Sequence, residues 1–352
     1  MRRGILAARP DAEVDLCPIA DGGEGTVSAM MAATGGYIHT SKVMGPLVAQ
    51  VEAQWGMFGG DDDTPFTAVI EMAAASGLAL IPPDERNPML TTSFGTGQLM
   101  AEAIRAGAER IILGIGGSAT NDCGCGAAAA LGVVFLTGDE QVLLMPPTGG
   151  SLSQIAGILV DEVTNFELTV ACDVENPLTG PNGAAHVYGP QKGASPQQVE
   201  ILDRNLSHIA SLIKRDLGVD VEHMPGGGAA GGMGAGMSAF FNAELLPGAK
   251  MVLDAVCFDQ RVSDCDLCLT GEGRIDGQTL SGKAIMAVTE AASSHDVNTI
   301  ALAGSIGPEA EKMIDAGLSA YHEICAGLPA EESMRRAAKL LEKKTAEVVS
   351  LL

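Results

Sequence analysis

Five carboxylates in this sequence stand beside glycines and a sixth, Asp173, ends an apolar run, and their setting makes phosphoryl transfer the chemistry to consider. Asp21 and Glu24 lie in DGGEGT, with Gly22 and Gly23 between them. Asp122 closes GIGGSATND, which also supplies Gly116, Gly117, Ser118, Thr120 and Asn121. Asp173 follows an apolar run, and Glu272 and Asp276 lie in TGEGRIDG. One such carboxylate is ordinarily a turn or cap residue. Six of them after apolar runs form a pattern, because open α/β sheets bind ligands at the carboxyl ends of their strands. Phosphoryl transfer needs carboxylates for a divalent cation, one to orient the attacking hydroxyl, and cations to spread the charge. Lys192, Arg274 and Lys283 are the cations beside glycine loops. An anion, phosphate or carboxylate, is expected on the loop 114–122. Glycines there let the backbone approach a ligand, and the N–H groups that open a helix favour negative charge. From the residues alone, the chain reads as a kinase or related transferase for a small polar substrate.

Two other fingerprints compete. Gly114, Gly116 and Ala119 match the dinucleotide pattern GxGxxG/A, with Asp139 and Glu140 about 20 residues on. A nicotinamide-dependent dehydrogenase is therefore a third reading. Against it, Gly124 and Gly126 fall where the helix should be running, at a cost of about 1 kcal/mol each. Gly277, Gly282 and Lys283 match most of a P-loop, but Ala284 replaces the hydroxyl residue that binds magnesium. The CxxC of Cys265 and Cys268 has no second pair at zinc-site spacing and reads as strand.

The elements that must position these groups are expected as follows. Residues 110–136 read as strand, glycine loop, helix and second strand. Residues 1–9 read as the end of an amphipathic helix, 14–20 as a strand, and 26–34 as a helix. Val51, Ala53, Trp55 and Met57 alternate with Gln50, Glu52 and Gln54, which implies a half-exposed antiparallel strand. Further strands are expected at 67–71, 166–172, 265–270, 299–304 and 320–324. Val199, Leu202, Leu206, Ile209 and Ile213 mark a helix that Gly218 ends. The run 226–236 is expected either to pack backbone closely or to face a ligand, not to form a solvated tether. A last helix begins near residue 330. Both ends have parallel α/β character and the middle carries the alternating strands, so one domain is expected inserted in another.

The 352 residues suffice for two domains, and 46% are hydrophobic. A net charge of −23 excludes a phosphate-backbone binder. Cys17, Cys172, Cys257, Cys268 and Cys325 lie in or beside apolar runs, as buried thiols in a reducing cytosol would. No run of 18 apolar residues and no signal peptide is seen, so a cytoplasmic protein without membrane contact is expected.

Taken together, PIADGGEGT (18–26), TTSFGTGQL (91–99), LGIGGSATND (113–122), CDVENPLTGPNGAA (172–185), GPQKGA (189–194), GGGAAGGMGAG (226–236) and TGEGRIDGQTLSGKA (270–284) resemble the type 1 glycerate kinase family. The resemblance implies ATP-dependent phosphorylation of D-glycerate, to 2-phosphoglycerate in preference to 3-phosphoglycerate, with Mg2+. It implies an α/β fold in which a flavodoxin-like parallel-sheet domain (1–40 plus 261–352) carries an inserted mixed α/β domain (41–260), with the site in the cleft. The substrate carboxylate would rest on glycine-loop amides and Arg274. One of Asp173, Asp276 or Asp122 would orient the hydroxyl. Magnesium and Lys283 or Lys192 would hold the ATP phosphates. The chain would act as a monomer or homodimer. Cys123 and Cys125 depart from the small residues usual after Asn-Asp. The family also opens with a strand and an Ala-Pro-Asp-Ser-(Phe/Tyr)-Lys segment that this sequence lacks. A truncated, non-catalytic, ligand-binding remnant is thus the second reading.

Overall fold

The computed structural model describes residues 1–20, 22–60, 65–160, 166–280 and 284–352. Asp21 and Lys283 lie outside these residues. The chain is a mixed α/β protein whose contacts divide it into two compact units, Ala20–Gly248 and Met1–Ile19 joined with Ala249–Leu352. Both junctions fall upstream of the sequence expectation of 41 and 260. The helix Thr26–Thr34 packs on the sheet strands that follow it, so it belongs to the inserted unit. The helix Phe258–Val262 packs on Ala284–Ser293 and belongs to the other.

The unit Ala20–Gly248 contains eight strands among the described residues: β1 (Tyr37–Met44), β2 (Gln50–Phe58), β3 (Thr67–Glu71), β4 (Arg110–Gly114), β5 (Val134–Thr137), β6 (Ile155–Leu159), β7 (Glu167–Ala171) and β8 (Glu244–Leu246). Six form one sheet in the order β1-β2-β3-β4-β7-β8. The first three are antiparallel, and β3, β4, β7 and β8 run parallel. On β2 the alternation sends Ala53, Trp55 and Met57 inward and Gln50, Glu52 and Gln54 outward. β3 and β4 are buried on both faces, which is why Ala68, Val69 and Ile70, and Ile111, Ile112 and Leu113, read as unbroken apolar runs.

A second core lies between the hairpin β5–β6 and the helix Pro196–Leu217, where Leu152, Ile155, Leu202, Leu206 and Ile213 are fully buried. That helix starts with a reciprocal capping box between Ser195 and Gln198 and stops at Gly218, φ 74°. The glycine-rich run is neither tether nor ligand loop. It forms the start of the helix Ala229–Phe241, kinked at residues 230–232, and lays bare backbone on the 120–124 loop. A Cβ on Gly231 would strike the Thr120 carbonyl, and one on Gly236 the Cys123 carbonyl.

In the other unit, β9 (Leu267–Ile275), β10 (Asn298–Ile306) and β11 (Ala320–Glu323) form a parallel sheet in the order β11-β10-β9. These three strands are what the described residues contain of the expected flavodoxin-like sheet. The helix Arg2–Ala8 packs on Ala330–Val349.

Several sequence readings need correction. Residues 14–20 form no strand; an apolar stretch becomes a strand only by pairing, and no ladder partner stands beside it among the described residues. β9 does not end near Thr270 but continues to Ile275, so Glu272 and Arg274 are strand residues. Of the five cysteines expected to be buried only Cys325 is, whereas Cys257 is exposed.

Candidate functional site

The parallel strands of the unit Ala20–Gly248 deliver backbone and carboxylates to one edge of the sheet. β4 ends at Gly114, whose missing side chain leaves room for the Gly22 carbonyl. Gly22, φ 85°, packs on Ala171 at the end of β7, and Gly116 packs on Gly23. Side chains at these positions would push the two glycine turns apart. The expected residues Gly22, Gly23, Glu24, Gly116 and Gly117 are thus brought together, with Glu24, Gly116 and Gly117 exposed. Asp173 lies two residues beyond β7, at the surface, and its Oδ1 accepts from the Gly248 amide at 2.8 Å. Sequence reading missed Glu71. It ends β3, and its Oε1 accepts from the amides of Gly25 (3.1 Å) and Val27 (2.7 Å), fixing the glycine turn at the start of Thr26–Thr34. The strand-end rule applied to Asp173 would have found it.

Beneath the exposed glycines the loop turns inward. Ser118, Thr120, Asn121 and Asp122 are buried. Asp122 takes the place expected for an external anion. Its Oδ2 accepts from the Ser93 amide (2.8 Å), the Ser93 hydroxyl (2.7 Å) and the Gly126 amide (3.3 Å). Ser93 Oγ accepts in turn from the Ala127 amide at 2.9 Å. The helix Cys125–Ala130 is therefore capped from within, and Ser93 is a second group missed from sequence. Burial pushes the Asp122 carboxyl above its usual range, against the three hydrogen bonds that favour its charged form.

Lys192 was expected on a loop facing phosphates. Instead it is 2% exposed, and its Nζ donates to Ser118 Oγ at 2.9 Å and to the Thr120 carbonyl at 2.7 Å. Burial lowers it to about 7, with the charge of Asp122 opposing the shift.

The dinucleotide reading fails on topology. After the loop and its short helix, β5 does not return beside β4 but pairs antiparallel with β6. The next parallel neighbour of β4 is reached only at β7, so the compact βαβ unit of about 30 residues that the fingerprint requires is not formed.

The other unit carries the remaining candidates. On β9, Glu272 Oε1 accepts from Thr279 Oγ1 at 2.7 Å. Asp276 Oδ2 accepts from Arg274 Nε at 3.0 Å. Thr279 is a partner that the sequence did not single out. Arg274, with its side chain 61% exposed, has room to meet a ligand. Among the described residues, no group of three or more His, Cys, Asp or Glu is arranged to hold a metal ion. No helix among them is long and apolar enough to cross a membrane.

Comparison with known proteins follows the same lines. The sequence model of the "Glycerate kinase family" matches residues 1–352. A glycerate kinase of Bacillus subtilis (strain 168) is 46% identical over 99% of this chain and 91% of its own length. A glycerate 2-kinase of Escherichia coli (strain K12) is 45% identical over 92% of this chain and 84% of its own. A crystal structure of a candidate glycerate kinase 2 from Salmonella typhimurium LT2 superposes with a TM-score of 0.87 at 42% identity, covering 99% of this chain and 91% of that one.

Proposed function

This chain belongs to the glycerate kinase family, and we propose that it transfers the terminal phosphoryl group of ATP to the 2-hydroxyl of D-glycerate in the cytoplasm. The observation that carries the reading is the edge where Gly22, Gly23, Gly116 and Gly117 meet beside Asp173. There Gly116 and Gly117 offer exposed backbone to an anion, and Asp173 is an exposed carboxylate on the same edge. The substrate carboxylate rests on the Gly116 and Gly117 backbone. Asp173 orients the hydroxyl that attacks, and Gly248 limits its rotation. For the ATP phosphates the sequence offers Arg274, whose side chain is exposed, and Lys283; Lys192, held inside, does not touch them. Positioning and charge neutralisation are most of what phosphoryl transfer asks of a protein.

Magnesium, when bound, would neutralise charge developing on the phosphates. No group of three or more His, Cys, Asp or Glu arranged for a metal stands among the described residues; the exposed carboxylates of Glu24 and Asp173 at the strand-end edge would hold the ion together with the nucleotide's own phosphates.

The test is ADP release from ATP and D-glycerate, with the product offered to an enolase without a mutase. Direct consumption by the enolase is the expected result and marks 2-phosphoglycerate. Consumption only after a mutase is added assigns the 3-position. Binding of both ligands without ADP release would instead identify a ligand-binding form.

A further inference from the structure

Lys192 is a buried cation without a carboxylate partner among the described residues: its hydrogen bonds go to a hydroxyl and a carbonyl. Around it, among the described residues, Thr120 Oγ1, both polar atoms of the Asn121 amide and Asp122 Oδ1 are buried and have no hydrogen-bond partner. The cluster is thus incompletely satisfied as it stands, which buried polar groups ordinarily avoid. The surrounding backbone gives it little room to relax. Gly231 presses on Thr120 and Asn121, and Gly149 on the Asn121 carbonyl. At one end of the cluster Ser118, 7% exposed, directly follows the exposed Gly116 and Gly117, so its hydroxyl lies just beneath the loop surface.

The direction of the Lys192–Ser118 hydrogen bond depends on the proton count of the amine. A charged ammonium can only donate, so Ser118 Oγ accepts and its own hydrogen is left to point toward the loop surface. A neutral amine has a lone pair that competes for that hydrogen, turning the Ser118 hydroxyl inward. A bound anion needs the hydroxyl turned outward, so it favours the charged amine.

We propose that Lys192 is the buried counter-charge of the glycine loop: the carboxylate of the hydroxy acid, held at Gly116, Gly117 and the Ser118 hydroxyl, binds together with a proton that Lys192 takes from solvent. Lys192 is a positioning residue, acting through Ser118 and not on the reacting atoms. The titratable group whose charge reaches it is Asp122. The thiols of Cys123 and Cys125 beside Asp122 are pushed far up by burial and stay neutral. Arg86, packed against Gly193, is the neighbouring cation. An amine lowered to about 7 changes its proton count within the working range, so the linkage is observable there.

The inference rests on the kinase reading, and the experiment separates the two. KM for D-glycerate and kcat are measured across pH in the full chain and in Lys192→Met and Ser118→Ala. Above about pH 7 the wild-type KM for D-glycerate is expected to rise, approaching tenfold per unit, with kcat and the KM for ATP unchanged. In both variants that KM is expected to be high and insensitive to pH. Calorimetric titration of D-glycerate into the wild type, in buffers of different ionisation heat, should show uptake of up to about one proton. A pH-independent wild-type KM with normal turnover, or a Ser118→Ala enzyme with the wild-type profile, overturns the inference and leaves the kinase standing. Neither turnover nor a binding heat in the wild type overturns both.

Discussion

Lys192 has an energetic signature apart from any ligand. Burial lowers it from the usual 10.5 to about 7. Its folded form therefore holds its proton less tightly than the unfolded chain does. Below about pH 7 both states are protonated and the full penalty of burying the ammonium is present; between 7 and 10.5 it fades as the native amine gives up its proton. At about 1.4 kcal/mol per unit, the penalty is several kcal/mol at most. Lys192→Met removes the charge and keeps the volume, but leaves Ser118 and the Thr120 carbonyl without a donor, at about 1–3 kcal/mol. The informative quantity is thus the pH dependence. Relative to wild type, the variant should be most stabilised near pH 6 and lose that advantage as pH rises toward 10, read as the shift in urea midpoint. A constant difference between the two proteins across that range would mean that the amine does not titrate in the fold.

At the scale of elements, the site is a meeting of two glycine turns, one of them held by the carboxylate that ends a neighbouring strand. Glu71 at the end of β3 satisfies two of the four amides that open Thr26–Thr34. Glu71→Ala strands them and should lower stability by about 1–2 kcal/mol and raise the KM for D-glycerate. Glu71→Gln keeps the accepting oxygen and should remain close to wild type on both measures. If both variants fall equally, the charge matters and not the cap.

Much of this framework was legible in the chain. β4, its loop and the helix Pro196–Leu217 declare themselves through local signals: an apolar run broken by glycine, or a period of three and four closed by Gly218. What stayed hidden depends on distant partners. Whether residues 14–20 pair, or β5 joins the main sheet, is settled by a ladder elsewhere in the chain, and no local pattern encodes it. The depth of Lys192 was hidden for the same reason. GPQKGA has the composition of an exposed turn, and only packing by Ala184, Ala185 and the helix Ala229–Phe241 against the Leu178 cluster shows that the region is interior.

At the scale of the molecule, the cores follow the division of the chain. The two large clusters, one around Ile70, Leu113 and Met233 and the other around Leu152, Leu202 and Ile209, draw every member from residues 43–245. The clusters around Ala301 and Leu302 draw only on Met1 and residues 267–348. A stretch that carries its own core and is continuous in sequence has what independent folding requires. The fragment 20–248 is therefore expected to fold alone, with a cooperative thermal transition and the Lys192 cluster intact. The complementary unit is assembled from two ends of the chain, so it must close a long loop before Arg2–Ala8 meets Ala330–Val349. Circular dichroism of the isolated fragment against temperature reads the outcome. Cooperative melting would place the glycine loop and its buried lysine in one autonomous unit. A gradual, non-cooperative loss of signal would show that these cores need the rest of the chain.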